Sequence, residues 1–208
     1  MILGYGHDDR VCAYASLMAL LDMEDVEYTS CCILVDKEEI GSVGATGAHS
    51  LFFENTIAEL INLTTTYSEL KVRHAMENTK MLSSDVSAGF DPLYAGVNDP
   101  KNAAYLGNGI CYNKYTGSRG KSGCNDAMPE FMAEIRNVMD SNNINYQTAE
   151  LGRVDQGGGG TIAYILANKG IDVVDAGVAV LSMHAPYEVT SKFDVYSAYR
   201  MYKAFFEN

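Results

Sequence analysis

One stretch of the chain predicts a central strand: Asp172-Val173-Val174-Asp175-Ala176-Gly177-Val178-Ala179-Val180-Leu181-Ser182. It is apolar and rich in β-branched residues, as is typical of a strand that helices cover on both faces of a sheet. The stretch leads directly into Met183-His184. The prediction therefore also places a histidine at the end of the central strand.

Helical and extended patterns alternate around this strand. The predicted helices span residues 11–21, 47–63, 126/127–141, 161–168 and 190–206, and the other predicted strands span residues 28–35, 80–85, 109–116 and 144–150. Residues 67–80 either extend the second helix or form a short one, and residues 86–108 form a long loop of a kind that is often functional. Such alternation predicts an α/β sheet with helices on both faces.

The composition argues against several classes of function. The chain has 208 residues, enough for one domain with a sizeable core, and 47% of them are hydrophobic. Its net charge of −12 disfavours binding to nucleic acid or to anionic membranes, because both need positive surface. No apolar run approaches the roughly 20 residues of a membrane span. Five cysteines without C-x-x-C spacing indicate reduced thiols, and we therefore expect a cytoplasmic protein.

Two adjacent glutamates, Glu38 and Glu39, follow the apolar run at 31–35 and precede a glycine-rich loop. Ligands of open α/β sheets bind beyond the carboxyl ends of the strands. Paired acids at such a place can divide the work, one binding a metal ion and the other transferring protons. A solvated turn is the alternative interpretation, because Asp, Glu and Gly are also common turn residues.

Three further polar residues fall at predicted strand ends or in adjacent loops: Asp8, Asp85 and His184. Together with the glutamate pair they offer carboxylates and an imidazole, the ligands of zinc- or cobalt-type sites in which carboxylates can bridge two ions. Taken singly, each has a simpler explanation, since Asp8 can cap the first helix and a lone histidine is often structural. The four features together favour a metal site.

Four motifs resemble, in order along the chain, those of the aspartyl aminopeptidase family of dinuclear zinc aminopeptidases: DKEEIGS at 36–42, SSD at 83–85, GGTI at 159–162 and LSMH at 181–184. The resemblance covers nearly the whole chain, and the closing YKAFF at 202–206 fits it too. It implies a three-layer α/β/α sandwich with a mixed central sheet, as in zinc peptidases. It also implies an enzyme that removes the N-terminal residue of peptides, with acidic residues as candidate substrates.

The resemblance assigns a role to each acid and to the histidine. Asp8 matches the aspartate that bridges two metal ions, and Glu38 matches the general base that activates water. Glu39 and His184 match ligands of one ion, while Asp85 matches a ligand of the other. The implied cofactors are two divalent ions, zinc in the first place, with cobalt and manganese as alternatives.

The glycine-rich segment before the predicted helix at 161–168 is a candidate for substrate binding. In the family the corresponding loop lies beside the active site, so the resemblance assigns Gly159, Gly160 and Thr161 to holding the peptide. A phosphate cradle is the alternative, but the segment lacks the Lys-Ser/Thr ending of a P-loop. Arg119 and Lys121 can either complement an acidic substrate side chain or form a solvated basic loop.

One part of the family pattern is not found in this sequence. The family's second metal site also has a histidine from an upstream H-x-D motif, and an assembly domain follows that motif. We do not assign this role to His7, because neighbouring side chains of an extended segment point in opposite directions. We therefore expect residues 1–208 to be the C-terminal portion of a catalytic domain that acts on peptides and forms a homo-oligomer. The alternatives are an inactive or incomplete homologue that acts in assembly or binding, and another dinuclear metallohydrolase such as a deacylase.

Overall fold

The computed structural model describes residues 1–119 and 122–208. Within these residues, helices and strands alternate along most of the chain, as the sequence predicts. The helices are α1 (His7–Leu21), α2 (Phe52–Thr64), α3 (Glu69–Glu77), α4 (Pro129–Ser141), α5 (Ala163–Ala167) and α6 (Lys192–Phe206). The strands are β1 (Ile2–Gly4), β2 (Lys80–Ser83), β3 (Ser87–Ala88), β4 (Ile110–Asn113), β5 (Tyr115–Ser118), β6 (Ser122–Asp126), β7 (Tyr146–Thr148), β8 (Asp172–Gly177), β9 (Ala179–Leu181) and β10 (Glu188–Thr190).

The predicted central strand is confirmed and forms two consecutive strands, β8 and β9, which are separated only by Val178. Strand β8 lies in a sheet of order β2-β8-β4-β7, and β9 lies in a sheet of order β1-β10-β9-β3. On one side β2 and β3 run parallel to them, with Ser83 opposite Asp175 and Ser87 opposite Ala179. On the other side β4 runs antiparallel to β8 and β10 runs antiparallel to β9, so both sheets are mixed, as expected.

Helices pack on both faces of the β2-β8-β4-β7 sheet, and side chains that alternate along β8 contact both layers. Val174 and Ala176 belong to the larger core cluster, which also contains residues of α1, α4 and α6. Val173 points to the other face, where it packs in a second cluster with residues of α3 and α5. Successive side chains of a strand point to opposite faces, so one apolar strand serves both cores. The result is the three-layer α/β/α sandwich that the sequence predicts.

The closing helix α6 is fixed to the sheet by a buried tyrosine. The hydroxyl of Tyr202 donates to the carbonyl oxygen of Ala176 at 2.7 Å and accepts from the hydroxyl of Ser84 at 2.9 Å. Ser84 directly precedes Asp85, one of the predicted metal ligands. The tyrosine therefore links α6, the central strand and the segment that presents this carboxylate.

The predicted strand at 28–35 is wrong. These residues form no strand, because no ladder of backbone hydrogen bonds joins them to another described segment. Ile33 and Val35 instead line an apolar cavity of about 200 Å³ together with Phe53 of α2 and Met81 of β2. Apolar composition therefore correctly indicated contact with the core but not the backbone conformation.

Other predicted elements have different ends in the structure. The helix expected at 47–63 begins at Phe52, and the strand expected at 109–116 is divided between β4 and β5. Helix α5 begins at Ala163, whose backbone N–H donates to the hydroxyl of Thr161 at 3.2 Å. The expected loop at 86–108 contains strand β3 and the short 3-10 helix Pro92–Val97. Among the described helices, none has the length and apolar character needed to cross a membrane.

Candidate metal centre

Three predicted ligands from distant parts of the chain meet at one place. Asp8 lies at the start of α1, Glu39 lies in the short 3-10 helix Glu38–Ile40, and His184 lies in the turn between β9 and β10. Nε2 of His184 is 3.0 Å from Oδ2 of Asp8 and 3.3 Å from Oε2 of Glu39. One ligand atom from each residue lies within 4.8 Å of the others. His184 and Glu39 are exposed, so the cluster is open to solvent on one side.

A buried glutamate that the sequence analysis missed connects two of these ligands. Glu188, at the start of β10, is 2% exposed. Its Oε2 accepts from the backbone N–H of Asp8 at 3.0 Å, and its Oε1 accepts from the backbone N–H of His184 at 2.7 Å. One carboxylate therefore spans two chain segments that each present a predicted ligand.

The predicted general base, Glu38, is placed beside the same cluster by a tight turn. Lys37 has a left-handed φ of 68°, and its carbonyl oxygen accepts from the N–H of Ser42 at 2.8 Å, which closes the loop. Burial raises the pKa of the half-buried Glu38 carboxyl, and the negative charges of Glu39 and Asp8 add to this effect. The turn thus brings both adjacent glutamates to the cluster, rather than leaving them as an isolated solvated loop.

A second group of carboxylates surrounds Asp8 from the other side. Ligand atoms of Asp8, Asp9 and Asp85 lie within 4.8 Å of one another. Oδ1 of Asp85 accepts from the backbone N–H of Val86 at 2.8 Å, which fixes the side chain directly after β2. Oδ1 of Asp9 is buried without a hydrogen-bond partner among the described residues. Asp8 and Asp85 are predicted from the sequence, whereas Asp9 is not, because a carboxylate at the start of a helix is usually a cap.

The donor set of these two groups fits divalent cations. Burial raises the pKa of Asp8 to about 6, Glu39 adds to the rise, and the nearby His184 partly offsets it. The pKa of Asp85 is raised well above its usual range by burial and then by the charge of Asp8. The pKa of Asp9 is raised likewise by burial and then by the charge of Asp85. Carboxylates that repel one another, an unpartnered carboxylate oxygen and an imidazole are the donors that zinc-type ions bind.

The predicted substrate segment, residues 159–161, is held by hydrogen bonds to other parts of the chain. The carbonyl oxygen of Gly159 accepts from the N–H of Gly117 in β5 at 2.8 Å. Thr161 is buried, and its hydroxyl oxygen lies 3.5 Å from that of Thr116. The hydrogen bonds of Gly159 and Thr161 therefore run to β5, to the start of α5 and to the buried Asp175 of β8, rather than to the carboxylates of the metal cluster. The remaining residue of the prediction, Gly160, lies between them.

The two basic residues considered for substrate binding are described to different extents. The backbone N–H of Arg119 donates to the carbonyl oxygen of Gly157 at 2.8 Å, next to the substrate segment. Lys121 lies outside the described residues. Arg119 therefore lies near the glycine-rich segment, and its exposed side chain is the one described cation of this pair.

Carboxylates and an imidazole that converge at one edge of an α/β/α sheet are typical of metal-dependent hydrolases. Residues 1–206 match the family described as aminopeptidase I zinc metalloprotease (M18), and the chain belongs to this family. This membership confirms the resemblance to the zinc aminopeptidases that the four motifs indicate. A more distant relative, a probable aspartyl aminopeptidase of Ricinus communis, is 28% identical over 212 residues, which cover 98% of this chain and 42% of the relative.

Closer relatives come from bacteria. The probable M18 family aminopeptidase 1 of Clostridium acetobutylicum is 60% identical over 208 residues, which are all of this chain and 45% of the relative. The crystal structure of aminopeptidase I from that organism superposes with a TM-score of 0.91 at 59% identity, over 99% of this chain and 44% of the other. An M18 aminopeptidase from Thermotoga maritima superposes with a TM-score of 0.95 at 44% identity, over 99% of this chain and 46% of the other. The chain thus spans less than half the length of these relatives.

Proposed function

We propose that residues 1–208 are the C-terminal portion of the catalytic domain of a metal-dependent aminopeptidase, which hydrolyses the N-terminal residue from peptides. The observation that carries this proposal is the convergence of Asp8, Glu39 and His184, with ligand atoms within 4.8 Å of one another, next to Glu38. Family membership supports the reaction class, since the bacterial relatives are themselves named aminopeptidases.

In this proposal the chain holds two divalent ions, zinc in the first place and cobalt or manganese as alternatives. Asp8, Glu39 and His184 would hold one ion, and Asp8 together with Asp85 would hold the second. The proximity of Asp8 to both groups supports a bridging role for its carboxylate. A divalent ion at such a site supplies positive charge that polarises a carbonyl oxygen and lowers the pKa of a water molecule.

Glu38 acts as the general base. Its carboxylate takes a proton from the attacking water and then passes this proton to the amino group that leaves when the peptide bond breaks. Burial and the charges of Glu39 and Asp8 raise the pKa of Glu38, which brings this pKa nearer to the pH at which the enzyme works. A raised pKa suits a group that must both accept and release a proton in one reaction cycle.

The substrate is a peptide with a free amino terminus, held along Gly159, Gly160 and Thr161. The hydrogen bonds of Gly159 with β5 and of Thr161 with the start of α5 support this role, because they hold the segment in a fixed position relative to β5 and α5. An acidic first residue is the proposed preference, in line with the name of the Ricinus communis relative. Arg119 offers a positive charge near the segment for such a side chain.

We also propose that the protein forms a homo-oligomer in the cytoplasm. Apolar side chains are exposed on the short 3-10 helix Pro92–Val97, namely those of Leu93, Tyr94 and Val97. An exposed apolar group of this kind supports association with another protein surface. The same surface would serve an inactive homologue that acts in assembly or binding, which is the second candidate function.

The first experiment measures metal content per chain by elemental analysis, together with hydrolysis of aminoacyl reporter peptides. The reporters form matched pairs with an acidic or a neutral first residue. Turnover with about two bound ions supports the aminopeptidase proposal. A chain that binds one ion or none and shows no turnover supports the assembly role instead.

Two matched variants separate the roles of the adjacent glutamates. Glu38→Gln should reduce kcat by about 10²- to 10⁴-fold while bound metal is retained, because it removes the proton acceptor. Glu39→Gln should reduce bound metal, because it replaces a charged carboxylate ligand, 3.3 Å from Nε2 of His184, with a neutral amide. If Glu38→Gln lost metal and kept turnover, the two assignments would be wrong.

A further inference from the structure

We propose that Glu188 is the positioning residue of this metal centre, since it holds the backbones of Asp8 and His184 in the arrangement in which their side chains meet. The inference rests on the proposed metal site and adds a residue to it. Glu188 touches neither ligand side chain by hydrogen bond among the described contacts, but it accepts from both ligand backbones. Its role is therefore to set the distance between two ligands rather than to bind the ion.

The chain topology explains why one side chain can reach both ligands. Strands β9 and β10 form an antiparallel pair, and His184 lies in the turn that joins them. Strand β1 pairs with the other edge of β10, with Gly4 opposite Glu188. Asp8 follows β1 by four residues, so it returns to the same end of β10. Glu188 thus lies between the two segments.

Among the described residues, Glu188 is the acceptor shown for each of these two backbone N–H groups. The N–H of Asp8 lies in the first turn of α1, where N–H groups have no acceptor within the helix. His184 has a left-handed φ of 66° in its turn. Two carboxylate oxygens accept two N–H donors, and hydrogen bonds to a charged acceptor are stronger than neutral ones. A glutamine could accept only one of them, because its amide nitrogen is a donor.

A purely structural role is the competing explanation, and the chain supplies a matched control for it. Asp194 in α6 is fully buried, and its two oxygens accept from the backbone N–H groups of Gly107 and Gly109, both at 2.8 Å. This is the same chemistry at a place that involves none of the predicted ligands. Loss of Asp194 should therefore reproduce the effect on stability without an effect on metal binding.

The test compares Glu188→Gln with Asp194→Asn in the 208-residue chain. Zinc affinity is measured by competition with a fluorescent chelator, and the stability of the metal-free proteins is measured by urea unfolding. We expect zinc affinity to fall by about 10- to 100-fold in Glu188→Gln, as is usual when the groups that orient ligands are lost. Asp194→Asn should bind zinc like the wild type, even if its urea unfolding midpoint falls as much as that of Glu188→Gln.

Each outcome decides the proposal. Unchanged zinc affinity in Glu188→Gln, or an equal loss in Asp194→Asn, overturns it. If Glu188→Gln does not fold, Glu188→Asp replaces it, because the shorter side chain cannot reach both N–H groups and should weaken zinc binding likewise.

If the wild type binds no zinc, the metal-site proposal itself fails, and crystal structures of the metal-free wild type and Glu188→Gln then decide the role of Glu188. Loss of the 3.0 Å contact between His184 and Asp8 in the variant supports positioning, and its retention overturns the proposal.

Discussion

Replacing Asp175 with Asn should make the protein more stable at neutral pH, by an amount that grows with pH. Asp175 lies in the middle of the central strand β8 and is 4% exposed. The hydroxyl of Thr116 donates to its Oδ2 at 2.9 Å, while its Oδ1 is buried without a hydrogen-bond partner among the described residues. Burial therefore raises the pKa of this carboxyl from 3.8 to about 6, although neighbouring hydroxyl groups partly offset the rise.

The direction of the effect follows from where the proton is bound. Between about pH 4 and about pH 6 the folded protein keeps a proton on Asp175 that the unfolded chain has released. The free energy of unfolding therefore falls as pH rises through this range. At about 1.4 kcal/mol per pH unit, a rise in pKa from 3.8 to about 6 corresponds to about 3 kcal/mol lost by neutral pH. Asn has the same shape and cannot ionise, so it avoids this loss.

The assay is urea unfolding of both proteins in the presence of a chelator, at a series of pH values from about 4 to about 7.5. The difference in unfolding free energy between Asp175→Asn and the wild type should increase by about 3 kcal/mol, in favour of the variant, across this series. Other titrating groups are common to both proteins and largely cancel in the difference. Asp172→Asn is the matched control, because it removes the same charge at an exposed position of the same strand.

Parallel curves for Asp175→Asn and the wild type would refute this reasoning, because they would mean that Asp175 binds its proton equally in both states. A difference of the opposite sign would mean that the carboxylate is stabilised in the fold. The first result would point to water reaching the carboxyl, and the second to hydrogen bonds stronger than the contact with Thr116.

Two further substitutions test the surroundings of the site by urea unfolding. Gly158→Ala should destabilise the fold by at least about 1 kcal/mol, because φ is +103° and the new Cβ would lie 2.3 Å from the carbonyl oxygen of Gly117. Gly159→Ala is its control, with the nearest atom at an ordinary 3.6 Å, and an equal loss there would contradict the steric argument. Tyr202→Phe should cost about 1–3 kcal/mol, because the hydroxyl loses its hydrogen bond to Ala176, which is buried, and its hydrogen bond from Ser84, which is partly buried. An unchanged unfolding midpoint in Tyr202→Phe would show that this link between α6 and the sheet contributes nothing.

The sequence was sufficient to predict those parts of the fold that depend on one chain segment alone. The apolar, β-branched residues of β8 and β9 must be buried on both faces, whatever lies beside them, and this requirement is visible in their composition. The segment at 28–35 has similar composition, yet a strand also requires a neighbouring backbone with free donors and acceptors. Composition contains no information about that neighbour, and for this reason the prediction of a strand there failed.

In the candidate site, too, the sequence predicted residues that are recognisable by their own side chains but not contacts between distant segments. The family resemblance predicted Asp8, Glu39 and His184, and the structure brings these three together, because ligand chemistry requires particular side chains at particular places. Glu188 could not be found in this way. Its partners are backbone N–H groups, which almost every residue has, so no residue type elsewhere in the chain signals the contact.

From its polarity alone, a glutamate at the start of a short strand is expected to be exposed to solvent. Glu188 is instead only 2% exposed. Burying a charged carboxylate is costly unless its oxygens are hydrogen-bonded. The buried carboxylate of Glu188 accepts from the backbone N–H groups of Asp8 and His184. The cost of burying Glu188 is therefore offset only when both of these segments are in position. The strand β10 that carries this glutamate lies between β1 and β9, so the same strand that joins these two strands also holds the segments of the two ligands. The positions of Asp8 and His184 therefore depend on the pairing of β10 with β1 and β9, and Glu188 connects this pairing to the site.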